Sequence, residues 1–362
     1  MAENPVFATK DLCVGYRGNA VVKDINITLE KGRILCLIGP NGSGKSTILK
    51  TVSGQIPAIS GGTYIEGVEL NAFPRAELAK KLAVVLTERI RPEMMSCYEV
   101  AAMGRYPYTG RFGTLSPHDR EVVGAALEKV GAADIAGRDF TEISDGQRQR
   151  VMLARAMCQE PEILLLDEPT SFLDIKHKIE MLGILLSEAR ERGTSIILSL
   201  HEIDLAEKVA DLILPVKGIS SRAPQGPEEV FTDANIARLY DIERGRYIVS
   251  RGSVELERPA GIPEVLVLGG AGFGIKHYRA LQRAGIPFAA ALIDSRDMEY
   301  ELAMAIASRV FLTSGGEQNG MELLKGMKCV LDTGAPDPMR GRILEAAREN
   351  DIRIVFSAGE LQ

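Results

Sequence analysis

Gly39-Pro-Asn41-Gly42-Ser43-Gly44-Lys45-Ser46-Thr47 stands directly after the apolar run Ile34-Leu-Cys-Leu-Ile38 and opens a stretch that reads as helix. A strand, a G-x-x-x-x-G-K-[ST] loop and a helix, in that order, are what a phosphate-binding loop requires. Glycines at 39, 42 and 44 let the backbone turn so that its N–H groups converge on phosphate oxygens. The helix behind them aims its positive dipole end at the same point. The pattern assigns Asn41, Ser43, Thr47 and the glycines to the phosphate cradle, Lys45 to the β and γ phosphates, and Ser46 to Mg2+. The competing explanation is a glycine-rich turn that merely caps a helix, and the complete motif in its proper context outweighs it.

Outward from this loop, Ile163 to Leu166 and Ser195 to Leu200 are further short apolar runs, and Lys176 to Arg192 has helical periodicity. The alternation is that of an α/β fold. Ile163-Leu-Leu-Leu-Asp167-Glu168 ends in two acids, which an open α/β sheet would deliver to the same edge as the loop. Asp167 suits a Mg2+ shell. Glu168, one residue on, is placed to orient or deprotonate an attacking water.

The 362 residues suggest two domains, and the composition, 45% apolar and 25% charged, is that of a globular protein. A net charge of -6 argues against nucleic acid as a partner. Cys13, Cys36, Cys97, Cys158 and Cys329 are scattered without C-x-x-C spacing, so neither a disulfide framework nor a zinc site is expected. The sequence has no run long and apolar enough for a membrane helix, and its first residues lack the apolar core of a secretory signal.

Between the loop and the acid pair lies Ile143-Ser144-Asp145-Gly146-Gln147-Arg-Gln-Arg150. With both nucleotide motifs around it, this resembles the L-S-G-G-Q signature of ABC ATPases. The resemblance implies a RecA-like core with a helical subdomain that binds ATP and Mg2+. It also implies a head-to-tail dimer, in which Ser144, Gly146 and Gln147 of one copy cover the nucleotide on the loop of the other. Ser171-Phe-Leu-Asp174 resembles the loop through which the two copies sense each other. His201, in Leu198-Ser-Leu-His201-Glu, resembles the switch histidine that contacts the γ-phosphate, and Tyr16 resembles the aromatic residue that stacks on adenine. Two positions depart from the family. Thr87 stands where a glutamine normally links metal and water to the membrane partner, and Asp145 replaces a signature glycine.

Within the family, Gly104-Arg-Tyr-Pro-Tyr-Thr-Gly110, Thr170-Ser-Phe-Leu-Asp-Ile-Lys-His177 and Gly226-Pro-Glu-Glu-Val-Phe-Thr232 resemble the ATPases of metal-chelate importers, those for ferric siderophores, haem and cobalamin. That resemblance implies multi-helix permease subunits as partners, an extracytoplasmic substrate-binding protein indirectly, and a place on the cytoplasmic face of the membrane. An exporter ATPase or a soluble ABC ATPase are the alternatives. The soluble kind would need a long coiled coil or a second phosphate loop, and the sequence has neither.

After the break Arg258-Pro-Ala-Gly-Ile-Pro263 a second strand and helix rhythm begins. This places the ATPase domain at 1–258, a linker at 259–263 and a smaller Rossmann-like α/β domain at 264–362, read as regulatory. Val265-Leu-Val-Leu-Gly269-Gly-Ala-Gly-Phe-Gly274, with Asp294 twenty residues on, resembles a dinucleotide-binding turn with imperfect glycine spacing. Glycines used only for a tight crossing are the other explanation.

Overall fold

The protein is described from a computed structural model covering residues 5–86, 92, 94–110, 113–220, 223–313 and 320–361. Two compact units form, Met1–Tyr240 and Asp241–Gln362.

The first unit contains strands β1 (Phe7–Tyr16), β2 (Asn19–Ile25), β3 (Thr28–Leu29), β4 (Ile34–Ile38), β5 (Ser60–Ile65), β6 (Val68–Glu69), β7 (Leu82–Val85), β8 (Ile163–Asp167), β9 (Ser195–Ser199) and β10 (Leu212–Pro215). Its helices are α1 (Lys45–Val52), α2 (Arg75–Lys81), α3 (Cys97–Ala102), α4 (Pro117–Lys129), α5 (Asp145–Cys158), α6 (Ile175–Arg192), α7 (Ile203–Val209), α8 (Pro227–Val230) and α9 (Asp233–Tyr240). One sheet is antiparallel, with order β2-β1-β5-β6 and β3 against β1. The other is wholly parallel, with order β10-β4-β9-β8-β7. Strands β4, β8 and β9 are buried along their whole length, which is why they read as unbroken apolar runs instead of alternating. Phe7, Val14 and Ile25 of the first sheet share one core with Leu35, Leu165 and Ile197 of the second and with Ile48 and Leu49 of α1. Each such side chain contributes about 2 kcal/mol by leaving water. The order β4-β9-β8 sets the site, because it brings the carboxyl ends of three strands distant in sequence side by side.

Helices α3, α4 and α5 each begin with a capping box, Ser96 with Glu99, Ser116 with Asp119 and Ser144 with Gln147. Arg105 ties this layer together. Its guanidinium donates to Asp119 (2.8 Å), Glu160 (2.7 Å) and the Cys158 carbonyl (2.7 Å), and it lies 4.0 Å from the Tyr108 ring centroid. Gly104 is needed beside it, since a Cβ there would stand 2.0 Å from the Arg155 carbonyl oxygen. All five cysteines are buried thiols. Among the described residues no helix is long and apolar enough to cross a membrane.

The second unit opens with a hairpin, β11 (Arg246–Ile248) and β12 (Ser253–Glu255). It continues through β13 (Val265–Leu268), α10 (Ile275–Ala284), β14 (Phe288–Ile293), α11 (Tyr300–Ile306), β15 (Arg309–Leu312), α12 (Gly320–Leu323), β16 (Cys329–Asp332), α13 (Pro338–Glu349) and β17 (Arg353–Val355). The five strands after the hairpin form a parallel sheet in the order β15-β14-β13-β16-β17. Counted from β13 this is 3-2-1-4-5, the doubly wound order of dinucleotide-binding folds. Apolar clusters cover both faces.

The division falls before the hairpin, not at the 259–263 break. Ile248 belongs to the core of the second unit, and buried Glu255 is paired with Arg279 of α10. The Pro and Gly cluster there is a turn inside the second unit, between its hairpin and its sheet.

Candidate nucleotide-hydrolysis site

The Gly39–Ser46 loop leaves β4 and enters α1 as its sequence demands. Gly39, Gly42 and Gly44 have φ of 150°, 76° and 106°, a region where a side chain is strained. A Cβ on Gly39 would meet the Val216 carbonyl oxygen at 2.1 Å, and one on Gly44 would meet Val22 at 2.6 Å, so β2 and the β10 end hold the loop from both sides. Lys45 is buried and donates to the Gly39 (2.8 Å) and Pro40 (3.0 Å) carbonyls. Burial pulls its ammonium below the usual value, opposed by the charges of Glu168 and Asp167. Ser43 Oγ is buried in the loop without a hydrogen-bond partner. An orphaned hydroxyl beside glycine N–H groups and a buried lysine is a donor set suited to phosphate oxygens.

The carboxylates arrive from β8. Asp167 is buried and accepts from Ser199 Oγ at 2.7 Å. Glu168 sits at φ 51°, a left-handed turn that brings its side chain onto the His201 ring, where Oε1 meets Nε2 in a close contact. Ser171 Oγ donates to the second oxygen of Glu168 at 3.2 Å. Left-handed non-glycine residues cost roughly 1–3 kcal/mol and persist where the surroundings enforce them. Here the Glu168 N–H is anchored on Ser199 Oγ at 2.9 Å.

Ser199 is the residue the sequence reading missed. It lies between Leu37 of β4 and Asp167 of β8 in the sheet register, and one hydroxyl serves both acids. The available signal is a serine at the carboxyl end of an otherwise apolar strand.

The structure therefore gathers Lys45, Asp167, Glu168 and His201. It also places Ser46 half-buried and Thr47 buried in the first turn of α1. Asn41 lies exposed on the loop, and Tyr16 is exposed at the end of β1. Ser144 and Gln147 cap α5 reciprocally: Ser144 N–H donates to Gln147 Oε1 at 3.0 Å, and Gln147 N–H donates to Ser144 Oγ at 3.3 Å. Gly146 abuts the loop of Ser171 to Asp174, since a Cβ there would stand 3.2 Å from Leu173. Asp174 caps α6 through the His177 N–H at 2.9 Å. Arg148 pairs with the Asp145 carboxylate at 2.6 Å and also donates to the Phe140, Thr141 and Ile143 carbonyls, so the substituted acid is held on its own helix. Thr87 lies outside the described residues.

In the second unit the glycine turn is filled from within. Glu299 is fully buried, and its two carboxylate oxygens accept from the Gly270 and Gly274 N–H groups, the latter at 2.7 Å. Those are the donors a pyrophosphate would take at such a turn. Burial and the charge of Asp297 push the carboxyl up to about 7, against the Gly274 and Ile275 N–H groups. A Cβ on Gly269 or Gly274 would stand 2.1 or 2.4 Å from atoms of the Tyr278 ring and hydroxyl, so the glycines admit that side chain, which stacks on Phe288. Asp294 is occupied by hydrogen bonds from the Arg296 side chain and N–H, which hold its carboxyl down at about 2.

The ABC transporter family profile matches residues 22–171, which include the loop, the signature and the acid pair. An uncharacterized ABC transporter ATP-binding protein of Methanocaldococcus jannaschii is 41% identical over 274 residues, 75% of this chain and 94% of that protein. The iron(3+)-hydroxamate import ATP-binding protein of Bacillus subtilis is 38% identical over 236 residues, 65% of this chain and 88% of that one. Among solved structures, a chain from a metal-chelate type ABC transporter in an inward-facing conformation superimposes with a TM-score of 0.58 at 26% identity, covering 65% of this chain and 89% of that chain. Loop, acids and signature on this fold, with relatives aligned over most of their length, place the chain in the ABC transporter family as one of its ATP-binding, ATP-hydrolysing proteins.

Proposed function

We propose that the chain energises import of a metal chelate, a ferric siderophore, haem or cobalamin, as the paired ATPase subunits of a membrane permease. The observation that carries the cargo class is its similarity to the iron(3+)-hydroxamate import protein over nearly that protein's whole length. Two copies close head to tail, with Ser144, Gly146 and Gln147 of one facing the phosphate loop of the other, and Tyr16 against the adenine. The chain sits peripherally on the cytoplasmic face, below permease subunits fed by an extracytoplasmic binding protein.

At the loop, Lys45 exchanges its two carbonyl partners for phosphate oxygens, and Ser43 Oγ gains the partner it lacks. Ser46 and Asp167 are the residues that would hold Mg2+, which supplies charge neutralisation of the phosphates. Glu168 takes the role of orienting the water and accepting its proton, and His201, already against it, contacts the γ-phosphate. Asp174 and its loop sense the partner copy. The second unit is a regulatory or binding module.

Replacing Glu168 by Gln removes the proton acceptor and keeps the cradle. Glu168→Gln is expected to bind ATP normally while turnover falls about 100-fold or more. Lys45→Ala is expected to lose ATP affinity itself. Equilibrium binding and steady-state hydrolysis on the same preparations decide, and wild-type turnover in Glu168→Gln would remove Glu168 from its role. Mass spectrometry of the complex purified with its permease and cargo would identify the chelate.

A further inference from the structure

A doubly wound sheet offers ligands the crevice beyond the carboxyl ends of its strands, and in the second unit Glu299 occupies the glycine turn there. The opposite edge is open. Before the amino ends of β13, β15 and β16 lies a cavity of about 780 Å3, a size suited to a small organic ligand.

Four cations line it: Arg246 beside the hairpin, Arg258 in the turn after it, Arg309 at the start of β15, and Lys325 after α12. All four are exposed, and among the described residues none of them is in an ion pair. Elsewhere in the same unit cations are matched, as in Arg279 with Glu255, Arg340 with Asp332 and Lys328 with Glu264. Among the described residues the only acid on the cavity wall is Glu257. Like charges gathered around a concavity repel one another and raise the local concentration of anions. Ser308 Oγ, on the same wall, is buried without a hydrogen-bond partner. Leu256 and Ile262, 72% and 84% exposed, add an apolar surface.

We infer that this cavity binds a small organic anion bearing at least two phosphate or carboxylate groups. The guanidinium forks and Lys325 hold the anionic groups, and Leu256 and Ile262 carry the organic skeleton. This deepens the reading of the second unit as a binding module and rests on it.

The test is calorimetric titration of the full chain carrying Lys45→Ala, which suppresses nucleotide binding at the motor loop, with ADP, fructose 1,6-bisphosphate and citrate as probes. At least one probe is expected to bind once per chain, more weakly as salt is raised. That binding is expected to weaken about tenfold or more in Arg258→Glu/Arg309→Glu, and separately in Lys325→Glu. Asp294→Asn, at the filled carboxyl edge, is expected to change nothing. Binding of the phosphate esters alone or of citrate alone supports the site and assigns its anion class. No heat from any of the three probes would overturn the proposal, as would binding that all the charge reversals leave untouched. Binding without a change in wild-type ATP turnover would keep the site and remove only its regulatory role.

Discussion

One hydroxyl at the carboxyl end of β9 supports both acids proposed for ATP hydrolysis. Ser199 Oγ donates to Asp167 and accepts from the Glu168 N–H, the peptide group that must hold the left-handed turn. Ser199→Ala removes one hydrogen bond from the buried Asp167 carboxylate and one from the part-buried Glu168 N–H, at a cost of about 1–3 kcal/mol each. Because the side-chain hydrogen bonds of Ser199 go to the two acids while those of Lys45 go to the loop carbonyls, Ser199→Ala is expected to lower kcat about tenfold with KM for ATP within about twofold. A rise in KM with unchanged kcat would show the loop, not the acids, to depend on it. Lys45, Asp167 and Glu168 were legible in the sequence because the loop and the acid pair each follow directly on an apolar run, and His201 through its resemblance to the switch histidine. Ser199 was not, since a serine ending an apolar run looks like an ordinary strand boundary until the neighbouring strand is known. Glu299 was hidden for the same reason. It acts on Gly270 and Gly274 from 29 and 25 positions away, and no local pattern encodes that meeting.

At the scale of elements, the strands and helices of both units follow their apolar runs closely. Strands Val265–Leu268 and Phe288–Ile293 fall on unbroken apolar runs, and α10 starts at Ile275, directly after the glycine turn. What the turn between β13 and α10 does is set by its tertiary plug. The Glu299 carboxyl is raised from its unfolded value to about 7 by burial. A raised acid binds its proton more tightly when folded, so its stabilising effect is complete below about 4.5 and is lost as pH rises through about 7. The second unit is therefore expected to unfold at lower temperature at pH 8 than at pH 5.5, and Glu299→Gln, which cannot ionise, should flatten that slope. Calorimetric scans of the full chain across this range provide the measurement, and a variant with the wild-type slope would assign the pH dependence to another group.

For the molecule as a whole, the boundary decides which truncations are informative. Proline and glycine punctuate turns inside a domain as readily as linkers between domains, so the 259–263 break looked like a border. The pairing of Glu255 with Arg279 and the burial of Ile248 show where the hairpin belongs. A chain ending at Tyr240 is expected to be a soluble ATPase with near-normal basal turnover, since every residue proposed for ATP binding and hydrolysis lies upstream. A chain ending at Arg258 keeps β11 and β12 without their sheet, exposes Tyr247 and Ile248, and is expected to self-associate. Size-exclusion chromatography and turnover measured side by side distinguish the two. A folded but inactive 1–240 would make the second unit part of the motor.

The buried thiols have a practical consequence for such experiments. Cys13, Cys36, Cys97 and Cys158 lie in the first unit and Cys329 alone in the second, and burial raises the thiol of Cys158 to about 12. An alkylating reagent needs both access and a thiolate, so each cysteine keeps silent until its surroundings open. The chain thus carries two intrinsic clocks, and peptide mass mapping of a timed alkylation reads which half breathes first, and how ATP slows it, without any label being introduced.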